Sequence, residues 1–256
     1  MPKTHAAVTM SSPVLIERMV KRCHTQDDFP VERGSSLAAD DIASNPYPTS
    51  RVLRMSLTAG IDHLHAAKVL VVDQKVPHTA ATWSLARGAL ENLATAFWIL
   101  RPDRRDDRIE RTLQWHAQDV IDSDDATRHL DVPSMASVDA RLGELDAVAH
   151  RRLLAPERVR RGYTGTEAIA YADENLPQPT LGVRRPWQLS SGFAHGRPWA
   201  PVGASALETS GSARPDLLDA GATSMPSSVL FPYLAAVQLL EAFLRLYEVR
   251  ANRPLV

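Results

Sequence analysis

Residues 79–100 constrain the fold more than any other stretch. Trp83, Leu85, Ala86, Ala89, Leu90, Leu93, Ala94, Ala96, Phe97 and Leu100 cover most of a helical circumference. Ser84, Arg87, Glu91 and Thr95 are left along one narrow polar strip. A helix apolar on nearly every side must be enclosed by other elements. Its small residues let neighbouring helices approach closely, so it reads as the central helix of a bundle. Arg87, Glu91 and Asn92 interrupt it too often for a membrane span.

The rest of the chain repeats the helical period. Ser12-Pro13 reads as an N-cap and first turn, followed by Val14, Leu15, Met19 and Cys23 on one stripe. Residues 25–48 read as a loop, broken by Pro30, Gly34-Ser35-Ser36, Pro46 and Pro48. From Thr49 to about Gln74, Leu53, Leu57, Ile61, Leu64 and Val71 share a face. Ile109, Leu113, Ala117 and Val120 do so within 103–130, and Val138, Leu142, Leu145 and Ala149 within 134–154. Short helices are expected near 165–174 and 184–196. A long final helix is expected over roughly 229–250, with Leu230, Leu234, Val237, Leu240, Leu244 and Tyr247 in register. No stretch alternates with period two, so strands are minor at most. The expectation is an all-α fold, a single-domain bundle of about six to eight helices. Residues 1–48 form an N-terminal helix-and-loop arm and 49–256 the bundle. A Ser/Gly/Pro-rich excursion over 200–228 precedes the last helix.

Composition narrows the class. The chain has 256 residues, 44% hydrophobic and 23% charged, which is a globular balance. A net charge of −1 shows no basic excess of the kind a nucleic-acid coat protein carries. The single cysteine, Cys23, excludes an internal disulfide framework and fits a reducing compartment. The opening MPKTHAAVTMSS has no apolar signal core, so the expected location is cytoplasmic. Arg outnumbers Lys 25 to 4, as GC-rich bacterial coding produces, so arginine number alone does not denote phosphate recognition. Its placement says more. Residues 103–146 hold 6 Arg against 12 Asp+Glu, and residues 151–197 hold 8 Arg against 4. The second block is either a solvated face or a lobe that meets polyanions.

Most chemical motifs are absent. There is no GxSxG elbow, no phosphate loop, and no GxGxxG after a strand. Asp122, Asp124 and Asp125 resemble the start of a calcium loop, but Thr127 stands where Gly is needed and Pro133 where Glu is needed. His63 and His65 diverge by about 200° on a helix and cannot share an ion. No metal and no cofactor is expected.

The most informative segment is 185–199, RPWQLSSGFAHGRPW. Trp187, Ser191 and His195 follow one another at helical spacing. A Ser191 hydroxyl one turn before His195 can fix the imidazole tautomer. Gly196 and Pro198 end the helix, which puts His195 at the negative end of its dipole and favours the protonated ring. On the central helix, Arg87 and Glu91 have the i, i+4 spacing of an ion pair. If that strip faces His195, the helices hold a polar pocket of Arg, Glu, Ser and His. A structural histidine capping the bundle, with a solvent-facing Arg87–Glu91 pair, gives the same pattern.

The pairing of ARGALENLATAFWIL with a later WQLSSGFAHG resembles uncharacterised, mostly actinobacterial helical proteins. Through them the chain resembles the HEPN superfamily, helical nucleotide-binding and ribonuclease-type domains of bacterial defence and toxin systems. The likeness spans roughly residues 50–250. It implies an effector acting on RNA or a nucleotide, ribonuclease-type if it is an enzyme. His195 would be the acid/base, Glu91 would orient an arginine, and Ser191 would orient His195. Arg87 or Arg185 would stabilise phosphate charge, with Arg197 a further phosphate contact. Active HEPN ribonucleases carry Arg followed by His after four to six residues. Arg185 precedes His195 by ten, and the two pairs that do fit, Arg111–His116 and Arg18–His24, are what chance supplies in so arginine-rich a chain. The expected partners are RNA or a nucleotide and a second copy of the chain, with no membrane. The alternative is a non-catalytic helical interaction or ligand-binding protein whose polar cluster is structural.

Overall fold

Helical periodicity over most of the sequence becomes helix over most of the chain. The computed structural model describes residues 3–24, 29–76, 78, 80–129, 136–177, 181–204, 206–209, 220–223 and 226–252. In order these form α1 (Lys3–Cys23), α2 (Ser36–Ser44), α3 (Thr49–Lys68), α4 (Ala81–Leu100), α5 (Arg105–Thr127) and α6 (Val138–Arg151). Then come α7 (Pro156–Arg160), α8 (Gly165–Asn175), α9 (Arg184–Ala194), α10 (Trp199–Ala204) and α11 (Pro226–Asn252). A π-helical turn, Val69–Asp73, extends α3. The fold is all-α. The described strands are two four-residue segments, β1 (Ala206–Thr209) and β2 (Ala220–Thr223), paired antiparallel with Ala206 opposite Thr223. They and α10 lie in the expected excursion, of which residues 205, 210–219, 224 and 225 are outside the described set.

The helices beyond those expected are α2, α7 and α10, all short. The 25–48 loop is corrected by α2. Gly34 takes φ +85° at the turn, and Ser35 then caps the helix by accepting the Ala38 N–H at 3.2 Å. What reads as a breaker cluster is a turn followed by an N-cap. A second correction concerns α1, which begins well before Ser12 and holds Pro13 inside it.

The residues cluster into two units that interleave along the sequence. One comprises 1–28, 57–94 and 169–242, the other 29–56, 95–168 and 243–256. The helices α3, α4, α8 and α11 have residues in both.

The second unit is built on the stripes visible in the sequence. Ile109, Leu113, Ala117 and Val120 of α5 meet Leu142, Leu145, Val148 and Ala149 of α6 and Val159 of α7. A buried ion pair fastens α2 to α5. Arg108, 2% exposed, donates from Nε to Asp40 Oδ2 at 2.6 Å and from Nη2 to Asp40 Oδ1 at 2.9 Å. His116 of α5 stands against the Tyr47 ring with centroids 4.8 Å apart.

The first unit carries the candidate site. Trp83 of α4 stacks on Phe193 of α9 at 4.2 Å and 14°, with Ala200 of α10 and Val229 of α11 beside them. Gly60 of α3 lets Leu93 of α4 close in: a Cβ there would lie 2.8 Å from Leu93 Cγ. Asp173 of α8 begins α9 from outside, Oδ1 accepting the N–H of Val183 at 2.5 Å and of Arg184 at 3.0 Å. These are amides a helix start leaves unsatisfied, so one carboxylate fixes where α9 begins. Val229–Asn252 of α11 is long and apolar enough to cross a membrane by length and composition, and 56% of its most apolar window is buried inside the protein.

Candidate functional site

The polar strip of α4 and the imidazole after α9 meet. Arg87 donates from Nε to Glu91 Oε1 at 2.8 Å, one turn along α4. From Nη1 it reaches His195 Nε2, also at 2.8 Å and 108 residues away. Trp187 donates its indole N–H to the same Glu91 oxygen at 2.8 Å. Two contacts, Arg87–His195 and Trp187–Glu91, therefore tie α4 to the α9 segment. Beneath them the Trp83–Phe193 stack sets the spacing of the two helices.

The geometry assigns protons. A guanidinium only donates, so Nε2 of His195 carries the lone pair in this arrangement and Nδ1 the hydrogen. The side chains of Arg87 and Glu91 keep 27% and 32% of their surface, and His195 is exposed. Two of the five guanidinium N–H groups of Arg87 are used, so three are unclaimed among the described residues. Glu91 Oε1 takes two donors, while Oε2 takes none among the described residues.

Ser191 does not orient His195. The bond between them is backbone, His195 N–H to Ser191 C=O at 3.0 Å. His195 is the C-cap of α9, with φ −100° and ψ 10°. Leaving the helical track turns its ring to Arg87 instead of back down the helix. Arg185 and Arg197 are exposed, and neither side chain makes a hydrogen bond or ion pair among the described residues. On α9, Arg185 lies about 160° around from Trp187, whereas Arg184 lies about 60° around, near the angle of Ser191 and His195. The arginine in register with the cluster is thus Arg184, which the sequence reading passed over. Counting angles from Trp187 would have found it.

His63 of α3, which cannot share an ion with His65, adjoins the cluster. Its ring lies on Gly88 of α4, where a Cβ would fall 1.8 Å from Cδ2 and 2.2 Å from Nε2. Gly88 adjoins Arg87, so a second imidazole sits within one helical turn of the Arg87–Glu91 pair. His65 points elsewhere, with Nε2 3.8 Å from Glu17 Oε1. Among the described residues no three His, Cys, Asp or Glu side chains converge to hold a metal ion.

The arrangement combines a cation with spare donors, an imidazole nitrogen in contact with it, and a carboxylate that aligns the cation. Compared with family models, with curated proteins and with solved structures, the chain matches none.

Proposed function

We propose that the Arg87–Glu91–His195 cluster acts on the phosphate of RNA or of a nucleotide, in a HEPN-like helical effector of the kind found in bacterial defence and toxin systems. The observation that carries this reading is Arg87 held between Glu91 and His195 with three donors unclaimed. A phosphate offers the acceptors those donors need. As Arg87 turns to it, Nε2 of His195 is released. The freed nitrogen takes the proton of a ribose 2′-hydroxyl, whose oxygen attacks the adjacent phosphorus. The new O2′–P bond forms as the P–O5′ bond breaks. The imidazolium returns its proton to the departing 5′-oxygen, leaving a cyclic phosphate and a 5′-hydroxyl. Glu91 keeps the guanidinium aligned. The same reading places the protein in the cytoplasm, where its substrate is.

A second reading rests on Glu91 Oε1, which takes donors from both α4 and α9. In a non-catalytic interaction protein this network would be a staple between helices. His195→Ala separates the two. The effector reading expects cleavage of single-stranded RNA by the wild type, abolished in the variant, with an unchanged melting temperature. A wild type that neither cleaves RNA nor slows growth on induction, with a strongly destabilised variant, leaves the staple.

A further inference from the structure

We propose that Trp199 is a stacking platform for an unpaired base of single-stranded RNA, next to His195. The proposal rests on the phosphate reading of that histidine and names the substrate form. Trp199 is 53% exposed, unusual for a residue whose neighbour Ala200 is fully buried. It is seated and not loose. Gly196, at φ +61°, reverses the chain after α9, and Arg197 N–H binds Gly192 C=O at 2.8 Å. The indole then folds onto α9 at Gly192. A Cβ there would lie 2.7 Å from Trp199 Cζ2 and Cη2 and from Ala200 Cβ. Gly192 is one turn of α9 before His195, so the exposed indole and the imidazole share the end of one helix.

The surroundings select the occupant. Residues 181–204 contain Arg184, Arg185, Arg197 and His195 and no Asp or Glu, and the carboxylates that touch the segment from other helices, Glu91 and Asp173, already accept hydrogen bonds from it. The three arginines are exposed and unpaired among the described residues. An exposed aromatic surface on the same segment as three exposed guanidinium groups suits a polyanion whose bases can leave their stack. A duplex keeps its bases stacked and offers the indole nothing. An acidic peptide would satisfy the arginines and leave the indole bare.

The test uses the full chain carrying His195→Ala, so that binding is read without cleavage. The probes are a labelled oligouridine RNA and an abasic oligonucleotide of equal length and charge, followed by fluorescence anisotropy. Trp199→Ala should weaken oligouridine binding about tenfold or more and leave the abasic probe unchanged. Trp199→Phe should keep most of the affinity, and Gly192→Ala, which displaces the indole, should lose it. If Trp199→Ala fails to fold, Trp199→Leu against Trp199→Phe makes the same comparison. Equal losses for both probes, no loss at all, or no oligouridine binding by the parent would overturn the platform. Tight, base-dependent binding by a wild type that leaves RNA intact would instead overturn cleavage and keep the platform.

Discussion

Each unit holds an arginine paired with a carboxylate, and the two pairs differ in what they leave open. Arg108 uses all five N–H donors. Nε and one Nη2 hydrogen go to Asp40, the other Nη2 hydrogen to Ser36 Oγ at 3.1 Å, and Nη1 to the carbonyls of Pro102 and Asp103. Arg87 uses two of five at about a quarter exposure. The histidines differ likewise. His116 is half-buried, with its Nε2 shut away from water and without a hydrogen bond, whereas His195 is exposed and bonded to Arg87. A saturated, buried arginine such as Arg108 can only hold the fold together, and a buried ring nitrogen such as that of His116 has no partner to exchange. A half-exposed group with unused donors can exchange one partner for another, which a site requires.

The largest effect expected from this contrast is on stability. Arg108→Ala would strip the hydrogen-bonded partner from Asp40, wholly buried, and leave it only the half-exposed Arg105, whose Nε lies 3.4 Å from Oδ1. Breaking a buried pair on one side costs about 3–5 kcal/mol. Urea denaturation should show that loss, with RNA binding by the remaining folded protein unchanged. A loss below about 1 kcal/mol would mean Arg105 alone suffices for Asp40, and the contrast with Arg87 would fail.

That Arg108 is structural could not be read from the sequence, and the reason is general. Helical periodicity gives each side chain a direction about its own axis, so the apolar stripes of α5 and α6 were legible to the residue. So was the Arg87–Glu91 pair, set by spacing within one helix. Periodicity does not say which distant element a face meets. Asp40 lay in a stretch read as loop, and Arg108 in a helix whose apolar stripe was read but whose charges had no assigned partners. The Arg87–His195 contact was legible as a conditional, because only two polar strips were available to face each other. Ser191 misled for a different reason. Its hydroxyl and the His195 ring align only if the helix continues, and α9 ends at Ala194. His63 on Gly88 had no sequence signal beyond a glycine in an otherwise closely apolar helix.

The histidines offer a second way to sharpen the contrast, of intermediate size. Burial lowers the His116 pKa from 6.5 to about 4, with the nearby Arg51 charge acting in the same direction. The ring is neutral in the fold, while in the unfolded chain it protonates near 6.5. Stability from this group is therefore complete above pH 6.5 and lost as pH falls from 6.5 towards 4. The loss should approach about 1–3 kcal/mol. His116→Phe should remove that part of the acid dependence. The measurement is the difference between wild-type and variant stability at each pH, which cancels the carboxylates titrating in the same window. Parallel wild-type and variant profiles would mean His116 reaches solvent.

The smallest stability effect belongs to Arg87, and it carries the functional half of the comparison. Removing a partly exposed i, i+4 pair costs only a few tenths of a kcal/mol. The bond to His195 adds to this, yet the ring it releases is exposed and can turn to water. Arg87→Ala should therefore stay within about 1 kcal/mol of wild type in urea denaturation, while losing at least about a hundredfold in RNA cleavage, the cost of removing one group that stabilises developing charge. Arg87→Lys sharpens the expectation. An ammonium keeps the charge but lacks the planar fork that reaches Glu91, His195 and a phosphate together. It should restore binding at low salt without restoring the rate. If Arg87→Ala destabilised the protein as much as Arg108→Ala, Arg87 would be a second structural arginine. If Arg87→Lys recovered full cleavage, charge alone would be the requirement, and the aligned guanidinium between Glu91 and His195 would have no part in the chemistry.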